Sequence, residues 1–195
     1  VLFRSAIVTV MLISAFVSML NQTILNTALP AIIKGLNITE TTAQWLITGF
    51  MLVNGIMIPL TAFLMDKYST RHLYIFSMAI FLLGSIVAAF SPTFSILMIS
   101  RIIQAIGAGI LLPLMQFTVF TLFPAEQRGF AMGLAGVVVQ SAPAIGPTLT
   151  GLFVDLFSWR MPFYLVSAIA AVAFILGFFF VENNTKTKDI VLDKI

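Results

Sequence analysis

Residues 95–121 read SILMISRIIQAIGAGILLPLMQFTVFT, a run with one charge, Arg101. As a helix rising ~1.5 Å per residue it measures about 40 Å, longer than the ~30 Å hydrocarbon core of a bilayer. Five more apolar stretches stand on either side of it, at 6–30, 44–65, 73–90, 130–154 and 161–181. Strands of a membrane barrel would alternate in polarity over ~10 residues, and none of these runs does. The expected fold class is therefore an all-α membrane protein: a bundle of six transmembrane helices over 1–181, then a polar tail, 182–195. The separators, 34–43, 66–72, 91–93, 124–129 and 157–160, are short and polar.

Composition demands the same surroundings. The 195 residues are 60% hydrophobic and only 9% charged, with a mean hydropathy of +1.10. A soluble domain carries roughly 25% charged residues to cover its surface, so this surface must face a lipid bilayer. There is no cysteine, which removes disulfide and thiolate–metal chemistry. The net charge of +3 does not mark a nucleic-acid binder, because the basic residues are scattered one or two to a loop. No cleavable signal peptide is evident, since the first apolar run continues too far.

Lys and Arg set the expected orientation. Arg4, Lys67, Arg71, Arg128, Lys186, Lys188 and Lys194 fall on one side, whereas only Lys34 and Arg160 fall on the other. The richer side is the cytoplasm by the positive-inside bias, which places both ends there. The chain does not begin with Met, so its first residues are not expected to be a natural terminus; discounting Arg4 leaves six against two. Trp45 and Trp159 sit at the expected outer boundaries, where amphipathic rings prefer to lie.

A charge in hydrocarbon costs at least ~2.5–3.5 kcal/mol on insertion scales. Arg101, about 10 Å below the outer surface by residue count, must therefore sit in a polar surround. Gln104 shares its helix face at i+3. Asn21 and Gln22 in the first helix, about 12–15 Å deep by the same count, can meet it if helices 1 and 4 are adjacent. Asn54 in the second helix and Gln140 in the fifth fall near the midplane. These amides are either lining for an aqueous central cavity or interhelical glue, each worth roughly 0.6–2 kcal/mol. No carboxylate lies at that depth: Asp66 and Asp155 stand at helix ends.

The fifth stretch carries Gly133, Gly136, Pro143, Gly146, Pro147 and Gly151. Proline removes a backbone donor and bends a helix, while glycine admits a neighbouring backbone. The expectation is a bent, closely packed helix at a moving interface, with ordinary small-residue packing as the alternative. In the loop Asp66–His72, Asp66 closes a helix against its dipole, and Lys67 and Arg71 are expected to offset it.

These features, in this order, resemble the major facilitator superfamily, specifically the fourteen-helix drug:proton antiporters, lincomycin-resistance-type multidrug exporters included. Asn21-Gln22-Thr23-Ile24-Leu25-Asn26-Thr27-Ala28-Leu29-Pro30 is similar to that branch's first-helix signature, with Asn21 in the place of its usual Asp. Leu64, Asp66, Lys67 and Arg71 match the loop 2–3 motif, although Ala62, Ser69 and Thr70 replace two glycines and a basic residue. Arg101, Gln104 and Gly107 match the fourth-helix motif, whose arginine the family links to proton transfer. Gly146, Pro147 and Gly151 match the fifth-helix antiporter motif, and Trp159-Arg160-Met161-Pro162-Phe163 resembles the segment before helix 6.

The resemblance implies the N-terminal half of a transporter, inactive alone, sitting in a bacterial plasma membrane. It implies a lipophilic or cationic small-molecule substrate, protons as the coupling ion, and a missing C-terminal half, introduced by Leu192-Asp193-Lys194-Ile195. It also implies roles: Arg101, Asn21 and Gln104 in proton coupling, Gln22, Asn26, Asn54 and Gln140 in lining the cavity, and Asp66, Lys67 and Arg71 in gating. Pro143, Gly146, Pro147 and Gly151 would form the antiporter segment. Two alternatives stay open: metabolite uptake or exchange on the same fold, and a six-helix scaffold or subunit acting as an oligomer. Enzyme activity is not expected, because there is no metal-ligand cluster, no P-loop and no nucleophile elbow, and no cofactor is implied.

Overall fold

A computed structural model describes residues 2–181, with side chains from Ala6 onward; the tail 182–195 and its basic residues lie outside the described residues. Among the described residues every regular element is an α-helix: α1 (Leu2–Leu36), α2 (Glu40–Lys67), α3 (Thr70–Ala89), α4 (Phe94–Leu122), α5 (Ala125–Leu156) and α6 (Met161–Phe180). All six are long and apolar enough to cross a membrane. The connections span only two to four residues, so consecutive helices must reverse direction to cross it again.

Local chemistry sets the ends. Asn37, at φ 52°, takes the left-handed position after α1, and Ile38 N–H reaches back to Ile33 O at 3.2 Å, closing the helix in a Schellman motif. Thr39 caps α2 by accepting from Thr42 N at 3.2 Å. The sequence places the end of the first helix near Pro30, but α1 continues through it to Leu36. A proline removes one backbone bond without obliging the helix to stop where neighbours hold it.

Helix α4 packs most extensively on α3 and α2, and α1 on α5 and α6, while α1 and α4 meet at the centre. Lipid gives no hydrophobic drive between helices, so close approach must come from small residues. A Cβ at Gly107 of α4 would fall 2.9 Å from Phe81 N of α3; one at Gly84 of α3 would fall 2.8 Å from Gln104 N of α4. Each helix thus uses a glycine to admit the other's backbone. Tyr74 ties three helices together: its hydroxyl donates to Ala173 O of α6 at 3.0 Å and bonds Ser14 Oγ of α1 at 2.7 Å, with its ring against Gly177.

Pro113 has no N–H for the carbonyl of Gly109, one turn earlier. Thr61 Oγ1 of α2, fully buried, donates to that carbonyl at 3.3 Å as well as to its own Met57 O at 2.7 Å. A proline in one helix is in this way answered by a hydroxyl from the next.

Helices α2 and α5 bury only a narrow stripe each. The sequence leads to the expectation of a closely packed α5 at an interface, and within the described residues that helix is only partly covered. Gly146 does abut Thr23 and Leu20 of α1, but a Cβ at Gly133, Gly136 or Gly151 would meet nothing within 4 Å. Those small residues lie on a face that no part of the described chain covers. The two tryptophans differ in exposure: Trp159 is 6% exposed, against 57% for Trp45, because it packs over Gly35 and Phe163.

Candidate functional site

The centre of the bundle holds a directed chain of hydrogen bonds. Arg101, 1% exposed, donates from Nη1 to Gln104 Oε1 at 2.8 Å. A guanidinium only donates, so Gln104 must present its oxygen to Arg101 and its NH2 elsewhere. That NH2 donates to Asn21 Oδ1 of α1 at 3.3 Å and to Ser85 Oγ of α3 at 3.0 Å. The Ser85 hydroxyl in turn donates to Phe81 O at 2.8 Å. Three helices are thus joined through one amide at membrane depth.

The chain runs out of acceptors. Asn21 Nδ2 and Arg101 Nε are buried without a hydrogen-bond partner. Phe50 of α2 lies beneath the guanidinium, 4.2 Å from ring centroid to Cζ, which supplies a favourable π face but no countercharge. The four described carboxylates, Glu40, Asp66, Glu126 and Asp155, are exposed near helix ends.

A groove opens between α2 and α5, floored by α1 and α4. One cavity of about 160 Å³ is lined by residues including Ser18, Gln22, Asn54 and Ala108. A second of the same size has Met115, Gln116, Met132 and Gln140 in its walls, and Met19 and Leu112 belong to both. A third, about 80 Å³, is lined by Gln22, Asn26, Phe50 and Arg101, among others. Gln22 and Asn26 therefore stand beside Arg101, Asn54 beside Gln22, and Gln140 on the opposite wall. Asn54 Oδ1 is buried without a partner, beside Gly109.

The loop 2–3 residues do not come together as the sequence reading expects. Asp66 pairs with neither Lys67 nor Arg71 among the described residues. Lys67 lies over the Tyr68 ring at 5.7 Å, and Arg71 Nη2 donates to Phe178 O at 3.1 Å with its guanidinium 5.7 Å from that ring. The physical reason is dipolar: the carbonyls at the end of α6 attract a cation, and Arg71, in the first turn of α3, faces them. In α5, Gly146 touches α1 and accepts from Thr150 Oγ1 at 2.7 Å, while Pro143 and Pro147 are exposed.

Three participants escaped the sequence reading. Ser85 had a weak signal as a hydroxyl mid-helix, and so did Gln116 as an amide in the fourth span. Phe50 had none, because one aromatic among 19 phenylalanines does not announce a cation above it.

Six helices long and apolar enough to cross a membrane, around a buried polar centre and an amide-lined groove, define a polytopic membrane protein. Comparison with known proteins gives the family: the profile of the Major Facilitator Superfamily matches residues 11–193. The chain belongs to that superfamily and is a membrane transporter sequence, not an enzyme. It is 50% identical over 190 residues, 97% of its length, to the uncharacterized MFS-type transporter YcnB of Bacillus subtilis (strain 168). It is 40% identical over 177 residues, 91% of its length, to the lincomycin resistance protein LmrB of the same organism. To the probable multidrug resistance protein EmrY of Escherichia coli (strain K12) it is 35% identical over 153 residues, 78% of its length. These matches cover 40%, 37% and 30% of the respective relatives, so the chain spans roughly two-fifths of their length or less.

Proposed function

We propose that this chain is the N-terminal half of a multidrug exporter, working by proton-coupled antiport with alternating access. The groove between α2 and α5 carries the reading. Methionines adapt to varied apolar shapes, and Gln22, Asn54, Gln116 and Gln140 offer hydrogen bonds without fixing a charge. That is the wall a lipophilic drug of variable shape requires. The relatives named for lincomycin and multidrug resistance support the same class of substrate.

In this reading the uncovered glycine and proline face of α5, with α2, meets the remaining half of the transporter, and the groove becomes a closed cavity at their junction. Pro143, Gly146, Pro147 and Gly151 let α5 rock against that half, and the Asp66, Lys67 and Arg71 loop gates the cytoplasmic side. Arg101, Gln104 and Asn21 tune coupling. Asn21 cannot itself carry a proton at neutral pH, so the group that does is assigned to the remainder of the transporter. Both ends of this half face the cytoplasm of a bacterial cell, from the distribution of Lys and Arg.

The test is drug accumulation in cells expressing the intact transporter, with and without an uncoupler. Lower accumulation that the uncoupler abolishes is the expected result. Unchanged accumulation across a broad panel of lipophilic drugs overturns the reading.

A further inference from the structure

We propose that Arg101 is neutralised by a bound monoanion, either a halide ion or the carboxylate of a transported molecule, seated in the small cavity between α1, α2 and α4. The argument begins with donors and acceptors around the guanidinium. The hydrogen-bond chain is directed away from Arg101, so each link consumes an acceptor, and it ends with Asn21 Nδ2 and Arg101 Nε unpartnered. A buried, unpartnered donor is costly and a buried, unpaired cation more so. What is missing is an acceptor bearing negative charge.

Among the described residues none supplies one. The four described carboxylates are exposed near helix ends, and Phe50 offers only its π face. The one side chain that Arg101 bonds directly, Gln104, is an amide and brings no charge. Arg101 itself lines the cavity of about 80 Å³, together with Gln22 and Asn26, whose amides can donate to an anion. That volume admits a chloride ion or a carboxylate head. The inference goes beyond the efflux reading and depends on it only if the carboxylate belongs to a transported molecule.

The experiment uses the intact transporter in lipid nanodiscs with no proton gradient, so the result is independent of transport. Equilibrium binding of radiolabelled chloride is measured, and the melting temperature is compared in chloride and in the bulkier gluconate at equal ionic strength. Saturable binding and a higher melting temperature in chloride are expected, because a ligand that binds only the folded state stabilises it. Gln104→Glu is expected to weaken binding by about tenfold or more, because a carboxylate in place of the amide oxygen that Arg101 Nη1 reaches at 2.8 Å supplies the countercharge internally, while the protein in gluconate melts no lower than wild type. Arg101→Gln should abolish binding; should that variant fail to fold, Gln104→Glu still decides.

Displacement of chloride by benzoate identifies a carboxylate as an accepted ligand, and chloride binding that benzoate leaves intact identifies an inorganic anion; either supports the proposal. Absence of both binding and anion-dependent melting in the wild type overturns it, as does a Gln104→Glu variant that binds chloride like wild type.

Discussion

Gln104 Nε2 of α4 donates to Asn21 Oδ1 of α1 across 3.3 Å, and the same nitrogen serves Ser85 of α3 at 3.0 Å. One side chain therefore links three helices while its oxygen holds Arg101. Replacing it by leucine leaves Arg101 Nη1 and Asn21 Oδ1 without these bonds. Gln104→Leu is expected to destabilise the intact transporter by about 2–6 kcal/mol, at ~1–3 kcal/mol for each of the two buried groups left unsatisfied. Gln104→Glu, which gives Arg101 a charged acceptor, should fold at or near wild-type stability. Denaturant unfolding in detergent micelles checks the pair; equal stability of the leucine variant and wild type would contradict the network.

Thr61 and Pro113 make a second coupled pair, because the hydroxyl serves the Gly109 carbonyl that the proline cannot. Thr61→Val is expected to cost about 0.5–1.5 kcal/mol, the range of buried interhelical hydrogen bonds in membranes. Adding Pro113→Ala restores a backbone N–H for Gly109 O, so the double variant should recover much of that loss. A double-mutant cycle of melting measurements reads the coupling. Additive effects would show that the two residues do not share the carbonyl.

Glycines that look alike in the sequence should respond in opposite ways. A Cβ at Gly107 meets the α3 backbone, whereas at Gly133 it meets nothing within 4 Å. Gly107→Ala is expected to destabilise by about 1–3 kcal/mol through forced separation of α3 and α4. Gly133→Ala should leave the fold of this bundle intact, and its effect should appear in drug export if α5 packs against the other half. Thermal melting and export assays on the two variants separate these roles.

Arg71 connects the start of α3 to the end of α6 through Phe178 O at 3.1 Å. The bond is exposed, so Arg71→Met should cost only about 0.5–1 kcal/mol globally. The expected signature is local: faster amide hydrogen exchange in the last turn of α6, with α1 and α4 unaffected. Unchanged exchange there would mean that the contact does not hold the helix end.

The sequence alone determined that this is a bundle of six membrane-crossing helices, because length, apolarity and the bilayer's thickness leave a chain this poor in charge no other stable arrangement. It also singled out Arg101 and Gln104, since a cation at depth needs a partner and i+3 spacing supplies one on the same face. What it could not determine is which helices touch. That Gln104 rather than Arg101 reaches Asn21, that Ser85 and Phe50 complete the surround, and that Trp159 turns inward depend on how α1, α2, α3 and α4 pack. Helix packing in lipid is decided by the fit of small surfaces such as Gly84 against Gln104 and Gly107 against Phe81, not by hydrophobicity, which is the same on every face. The same holds for α5: the sequence shows its glycines, but only the tertiary structure shows that Gly146 is filled by α1 while Gly133, Gly136 and Gly151 stand uncovered.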